Sequence, residues 1–192
     1  MLRRLYEWTM LQAAKPHALA ILATISFIES SVFPIPPDVL LIPMILAQRQ
    51  RAFWIAGVCT IASVAGGYFG YFIGYGLYET VGVPILNFYG YLDKFTDFQG
   101  MYNEHGAWIV FFAGLTPFPY KVITIASGVT QLDLGVFGMA SILSRGLRFF
   151  LVATLLWYFG PWIRTFIDRY FGWLTLAFFA LLLGGFALLA LI

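Results

Sequence analysis

Five ionisable side chains stand inside stretches that are otherwise apolar: Glu29, Asp38, Lys121, Arg145 and Arg148. A charge at the centre of a membrane-embedded helix costs about 2.5–3.5 kcal/mol on insertion scales, so such groups are kept where they pair or act. Arg145 and Arg148 are three residues apart, which places them on one face of a helix. A guanidinium binds phosphate through a planar fork of donors. Lys121 adds a point charge beside a chain break, where a helix N-terminus turns its N–H groups toward an anion. Glu29 and Asp38 supply protonatable carboxyls, the groups from which intramembrane proton relays are built. The expectation is proton coupling at Glu29 and Asp38, with anion or phosphate binding at Lys121, Arg145 and Arg148. A cavity so lined receives an anionic headgroup while its acyl chains stay in lipid. The competing reading is a set of buried ion pairs that only hold the chain in place.

Other chemistries have less support. His17 and His105 are the two histidines, one near the start of each broken apolar segment. A bis-histidine haem needs imidazoles that face each other in a core, and the topology below puts these two on opposite sides. Cys59 is the single cysteine and lies in an apolar run, which excludes a disulfide framework and a cysteine metal site. There is no nucleotide-type phosphate loop and no Gly-x-Ser-x-Gly elbow. No catalytic residue, metal or cofactor is expected, and the chain reads as a non-enzyme.

The elements that must position the charges follow from composition. Of 192 residues, 61% are hydrophobic and 10% charged, against about 25% charged in an ordinary soluble domain. A surface so poor in charge must be covered largely by lipid. Apolar spans are expected at 52–79, 134–161 and 171–192. Segments 17–47 and 107–131 are interrupted by Pro34, Pro36, Pro117 and Pro119, in two Pro-x-Pro motifs. Doubled prolines break a helix. Broken backbone at membrane depth survives only where protein or a water-filled cavity satisfies it. Each segment is therefore expected to be a re-entrant hairpin of two short helices.

Each hairpin precedes a long span, so the chain reads as an internal repeat. With both hairpins re-entrant, Arg3, Arg4, Lys15, Arg49, Arg51, Arg164 and Arg169 fall on one side. Glu79, Asp93, Asp97, Glu104 and Asp133 fall on the other, against Lys94. That distribution favours an inverted repeat, a recurrent transporter architecture. Segment 83–104 has helical apolar spacing with charges interleaved, which suggests an interfacial amphipathic helix or, as the alternative, an ordinary surface helix packed on the bundle. Gly66, Gly70 and Gly74 form a small-residue stripe for close packing, within one chain or between two. The N-terminal apolar run is interrupted by Glu29 and reads as retained rather than as a cleaved leader.

Phe27-Ile28-Glu29-Ser30-Ser31-Val32-Phe33-Pro34-Ile35-Pro36-Pro37-Asp38 resembles the first hairpin of the DedA family, the SNARE-associated or VTT-domain superfamily. The run from Phe111 to Lys121, followed by Ala126-Ser127-Gly128-Val129, is similar to its second hairpin. Ser144-Arg145-Gly146-Leu147-Arg148-Phe149 resembles the next span of the YqaA-like branch. The resemblance implies two inverted re-entrant hairpins in the bacterial inner membrane. It also implies transbilayer movement of polyprenyl-phosphate or phospholipid, described as driven by protons. It puts the family's acidic pair on Glu29 and Asp38, and its second-hairpin basic residue on Lys121. Many relatives carry an arginine just before the second proline motif. Gly114, Leu115 and Thr116 stand there instead, which leaves the lipid open and gives Arg145 or Arg148 that charge to supply.

The reading is an all-α polytopic membrane protein with paired re-entrant hairpins, transmembrane helices and an interfacial helix. Its expected partners are membrane lipids and an anionic lipid substrate, not nucleic acid, with homo-oligomerisation left open. The leading function is a multi-pass inner-membrane lipid transporter of flippase type. The alternative is a non-transporting membrane-integrity or assembly factor with structural buried charges. A haem or quinone carrier comes third.

Overall fold

The computed structural model describes residues 17–32, 36–116 and 119–189, with side chains described to residue 160 and at Trp162. Pro34 and Pro117, the first proline of each expected break, lie outside the described residues, as do Arg3, Arg4 and Lys15. Every described element is helical. Helices α1 (Ala18–Ser31) and α2 (Asp38–Ala47) flank the first proline motif. A 3-10 turn (Arg49–Arg51) leads into α3 (Ala52–Leu77), which continues through a π turn (Tyr78–Gly82) into α4 (Val83–Tyr89). Helices α5 (Leu92–Leu115) and α6 (Tyr120–Val129) flank the second motif, and α7 (Leu134–Leu189) completes the described chain.

Among the described residues, two stretches are long and apolar enough to cross a bilayer, Arg49–Tyr89 and Leu134–Gly160. Helices α2 and α6 have ten residues each, about 15 Å, or half a hydrocarbon core of about 30 Å. The breaks between α1 and α2 and between α5 and α6 coincide with doubled prolines. The lone prolines Pro43 and Pro161 are carried inside helices, since one proline removes one hydrogen bond and kinks the rod. For that reason no break separates the expected spans 134–161 and 171–192: the backbone runs helical through Pro161.

The second difference is at 83–104, expected as one interfacial helix. Gly90 adopts a left-handed conformation (φ 66°) and ends α4. Tyr91 N–H donates to Leu86 O at 2.9 Å, the six-to-one bond of a Schellman cap. The remainder belongs to α5, which runs without interruption into the segment expected as the first arm of the second hairpin. Its polar residues serve the bundle: Gln99 and Asn103 both donate to Thr130 O, at 2.8 and 3.0 Å, satisfying a carbonyl just past α6. Phe88 on α4 remains largely exposed.

The packing is symmetric under exchange of the two halves. Helix α1 packs on α3, and α5 on α7. Each short helix after a break crosses to the other half, α2 onto α7 and α6 onto α3. Two apolar clusters result, each drawing on both halves. Leu22, Leu41, Ile45 and Ile55 with Phe149 of α7 anchor one; Val110, Tyr120 and Phe137 with Tyr71 of α3 anchor the other.

The glycine stripe is used inside the chain. A Cβ at Gly66 would intrude on the Phe27 carbonyl of α1, one at Gly70 on Thr124 of α6, and one at Gly74 on the Ile125 carbonyl of α6. Backbone carbonyls cannot swing aside as side chains do. Gly74→Val is therefore expected to lower stability by about 1–3 kcal/mol, read from thermal melts in detergent. Gly57→Ala, where a Cβ meets nothing within 4 Å, should be neutral or stabilising.

Candidate functional site

The ends of the four helices that flank the breaks meet, and charged side chains stand at them. Asp38 occupies the first turn of α2, where a carboxylate is favoured. Lys121, at the start of α6, donates to Val32 O just past the end of α1, at 3.2 Å. Arg148 reaches Thr116 O just past the end of α5, at 3.5 Å. Both cations thus lie at helix C-termini, where positive charge is favoured. Thr124 of α6 donates to Ser30 O of α1 at 3.1 Å, so the second broken segment is tied directly to the first.

Two ion pairs cross between the first broken segment and α7. Arg145 Nη2 lies 2.6 Å from Glu29 Oε2, with side-chain exposures of 1% and 14%. Arg148 Nη2 lies 2.6 Å from Asp38 Oδ2, with exposures of 24% and 23%. The distances are equal and the burial is not, and burial decides what each pair can do. The first pair is sealed. The second is about a quarter exposed.

The sealed pair belongs to a closed ring of polar groups. Arg145 Nε donates to Ser63 Oγ at 2.6 Å, Ser63 and Ser30 hydroxyls meet at 2.7 Å, and Ser30 reaches Glu29 Oε2 at 3.1 Å. A guanidinium can only donate, so Ser63 accepts from Arg145. Either hydroxyl of the Ser30–Ser63 pair can donate to the other. The Ser30 hydroxyl also lies within reach of Glu29 Oε2 and, at 3.0 Å, of Ser26 O as acceptors. The guanidinium carbon lies 4.8 Å from the Tyr120 ring centre and 4.9 Å from that of Phe149. Tyr120 belongs to one apolar cluster and Phe149 to the other, so Arg145 sits at the seam of the two clusters.

All five charged residues singled out in the sequence therefore gather where the two halves meet. His17 and His105 are both exposed and apart from it. Among the described residues no group of three or more potential metal ligands occurs. Sequence reading missed Ser30, Ser63, Tyr120 and Phe149. A signal existed for the serines: Ser26 and Ser30, like Cys59 and Ser63, are small polar residues four apart in apolar helices, the spacing that brings helices close. Ser63→Ala orphans the Arg145 Nε–H in a buried site. A loss of about 1–3 kcal/mol is expected, measured by thermal melting, with Ser63→Thr recovering part of it.

A family model described as the VTT domain matches residues 35–158. An uncharacterized protein of Haemophilus influenzae is 40% identical over 152 residues, covering 79% of this chain and 78% of the relative. A protein of Histophilus somni, described as an uncharacterized homologue, is 37% identical over 151 residues, with the same coverage of each chain. No solved structure matches.

Proposed function

The chain belongs to the VTT-domain family, the DedA family, whose members are membrane proteins, and from that premise we propose that it moves an anionic lipid across the bacterial inner membrane. The substrate class is a polyprenyl-phosphate or a phospholipid. The two broken segments act as re-entrant hairpins that dip from opposite leaflets and meet at mid-depth. The observation that carries this reading is the Arg148–Asp38 pair, a quarter exposed at the meeting point of the hairpins.

A phosphate offers the Arg148 fork the same oxygen geometry as a carboxylate. Headgroup binding is then an exchange: phosphate oxygens replace Asp38 at the guanidinium. A proton on Asp38 removes the competitor, so proton movement and lipid movement become linked through one side chain. The Arg145–Glu29 ring lies behind this exchange and holds the seam in register.

In proteoliposomes, the chain is expected to speed transbilayer movement of a labelled anionic lipid, and an imposed proton gradient should accelerate it further. Asp38→Asn should remove the dependence on the gradient. If Asp38→Asn and Glu29→Gln, both folded and inserted, move lipid at the parent rate with the parent response to the gradient, proton coupling is wrong. One observation favours the second reading, a non-transporting membrane-integrity or assembly factor: each of the four paired charges already has its partner. That reading expects no acceleration over protein-free vesicles.

A further inference from the structure

The two ion pairs neutralise themselves, which leaves Lys121 as the uncompensated member of the five. Its ammonium donates to a backbone carbonyl and forms no salt bridge among the described residues. The four helix ends do not change the total. The C-termini of α1 and α5 each present about half a negative charge, and the N-termini of α2 and α6 about half a positive one, so they cancel. Residues 33–35 and 117–118 carry no ionisable side chain. Among the described residues, the meeting point of the hairpins therefore carries a single net positive charge.

A ligand and a site removed from water are most stable when their charges sum to zero, because uncompensated charge in low-dielectric surroundings is strongly disfavoured. A phosphate diester carries one negative charge. A phosphate monoester carries about 1.5 to 2 at neutral pH, and a zwitterionic headgroup carries none. We infer that the headgroup accepted by this site while Asp38 is ionised is a phosphodiester monoanion, with Lys121 supplying the balancing charge and Arg148 the fork. This rests on the transport reading above and narrows it to a glycerophospholipid whose head alcohol is uncharged. A monoester dianion needs a second positive charge at the site, which a proton on Asp38 or a neutral side chain at position 38 would provide.

The test compares phosphatidylglycerol, phosphatidic acid and phosphatidylcholine of matched acyl chains in proteoliposomes at pH 8, where the monoester is doubly charged. The parent is expected to move phosphatidylglycerol roughly tenfold faster than either of the others. Lys121→Gln should bring phosphatidylglycerol down to the phosphatidylcholine rate, and Lys121→Arg should keep the preference. Asp38→Asn adds one net positive charge and should shift the preference toward phosphatidic acid. The inference is overturned if the parent moves phosphatidic acid as fast as phosphatidylglycerol, or if Asp38→Asn leaves their ratio unchanged. If the parent moves none of the three above the protein-free rate, the transport reading itself falls, and the headgroup inference with it.

Discussion

Arg145→Met is expected to lower stability by about 3–5 kcal/mol, because it strands Glu29 as a nearly buried carboxylate with no cation. The guanidinium also fills the space between Tyr120 and Phe149 and is 1% exposed, so the loss includes contacts to both apolar clusters. Methionine restores much of that volume and none of the charge, which isolates the electrostatic part. The double variant Arg145→Met with Glu29→Met removes both charges together and should recover most of the loss, as apolar replacement of a whole buried pair commonly does. Thermal melts of purified protein in detergent read both numbers. A single variant as stable as the parent would mean that Glu29 finds another partner or that water reaches it. In either case the ring does not hold the seam.

The proportion of this arrangement that was legible in the sequence depended on the range of the interaction. The helix breaks were readable because a doubled proline acts locally: Pro36 and Pro119 immediately precede or nearly precede the helices that begin at Asp38 and Tyr120. The charges were readable because an ionised group in an apolar run is disfavoured anywhere, whatever its partner. Which carboxylate meets which arginine was not readable. Glu29 and Arg145 are 116 residues apart, and Asp38 and Arg148 are 110 apart. Only the crossing of α2 onto α7, and the packing of α1 on α3 and of α3 on α7, bring them together. The unequal burial of the pairs, on which the roles proposed for them rest, is a property of that packing too. The left-handed turn at Gly90 carried a local signal, a glycine between two aromatic residues in a weakly apolar segment. It was overridden by the longer helical period of the residues around it.

Arg148→Gln is expected to abolish lipid movement above the protein-free rate while leaving stability within about 1 kcal/mol of the parent, the range of a partly exposed ion pair. The contrast with Arg145 follows from exposure alone: equal bond lengths, but 24% against 1% for the two guanidinium side chains. Asp38 keeps partial access to water when its partner is lost, so little folding energy is forfeited. A phosphate at the same place loses its fork. Arg148→Lys separates charge from geometry. It keeps the cation but replaces parallel donors with a point charge, and each charge-assisted hydrogen bond contributes about 1.5–3 kcal/mol, so roughly a tenfold or greater loss of rate is expected. Rates come from a dithionite-quench assay on labelled anionic lipid, and stability from the same preparations. A parent-like rate in Arg148→Gln would remove the arginine from the transport path. Loss of folding equal to that of Arg145→Met would make it a second structural lock.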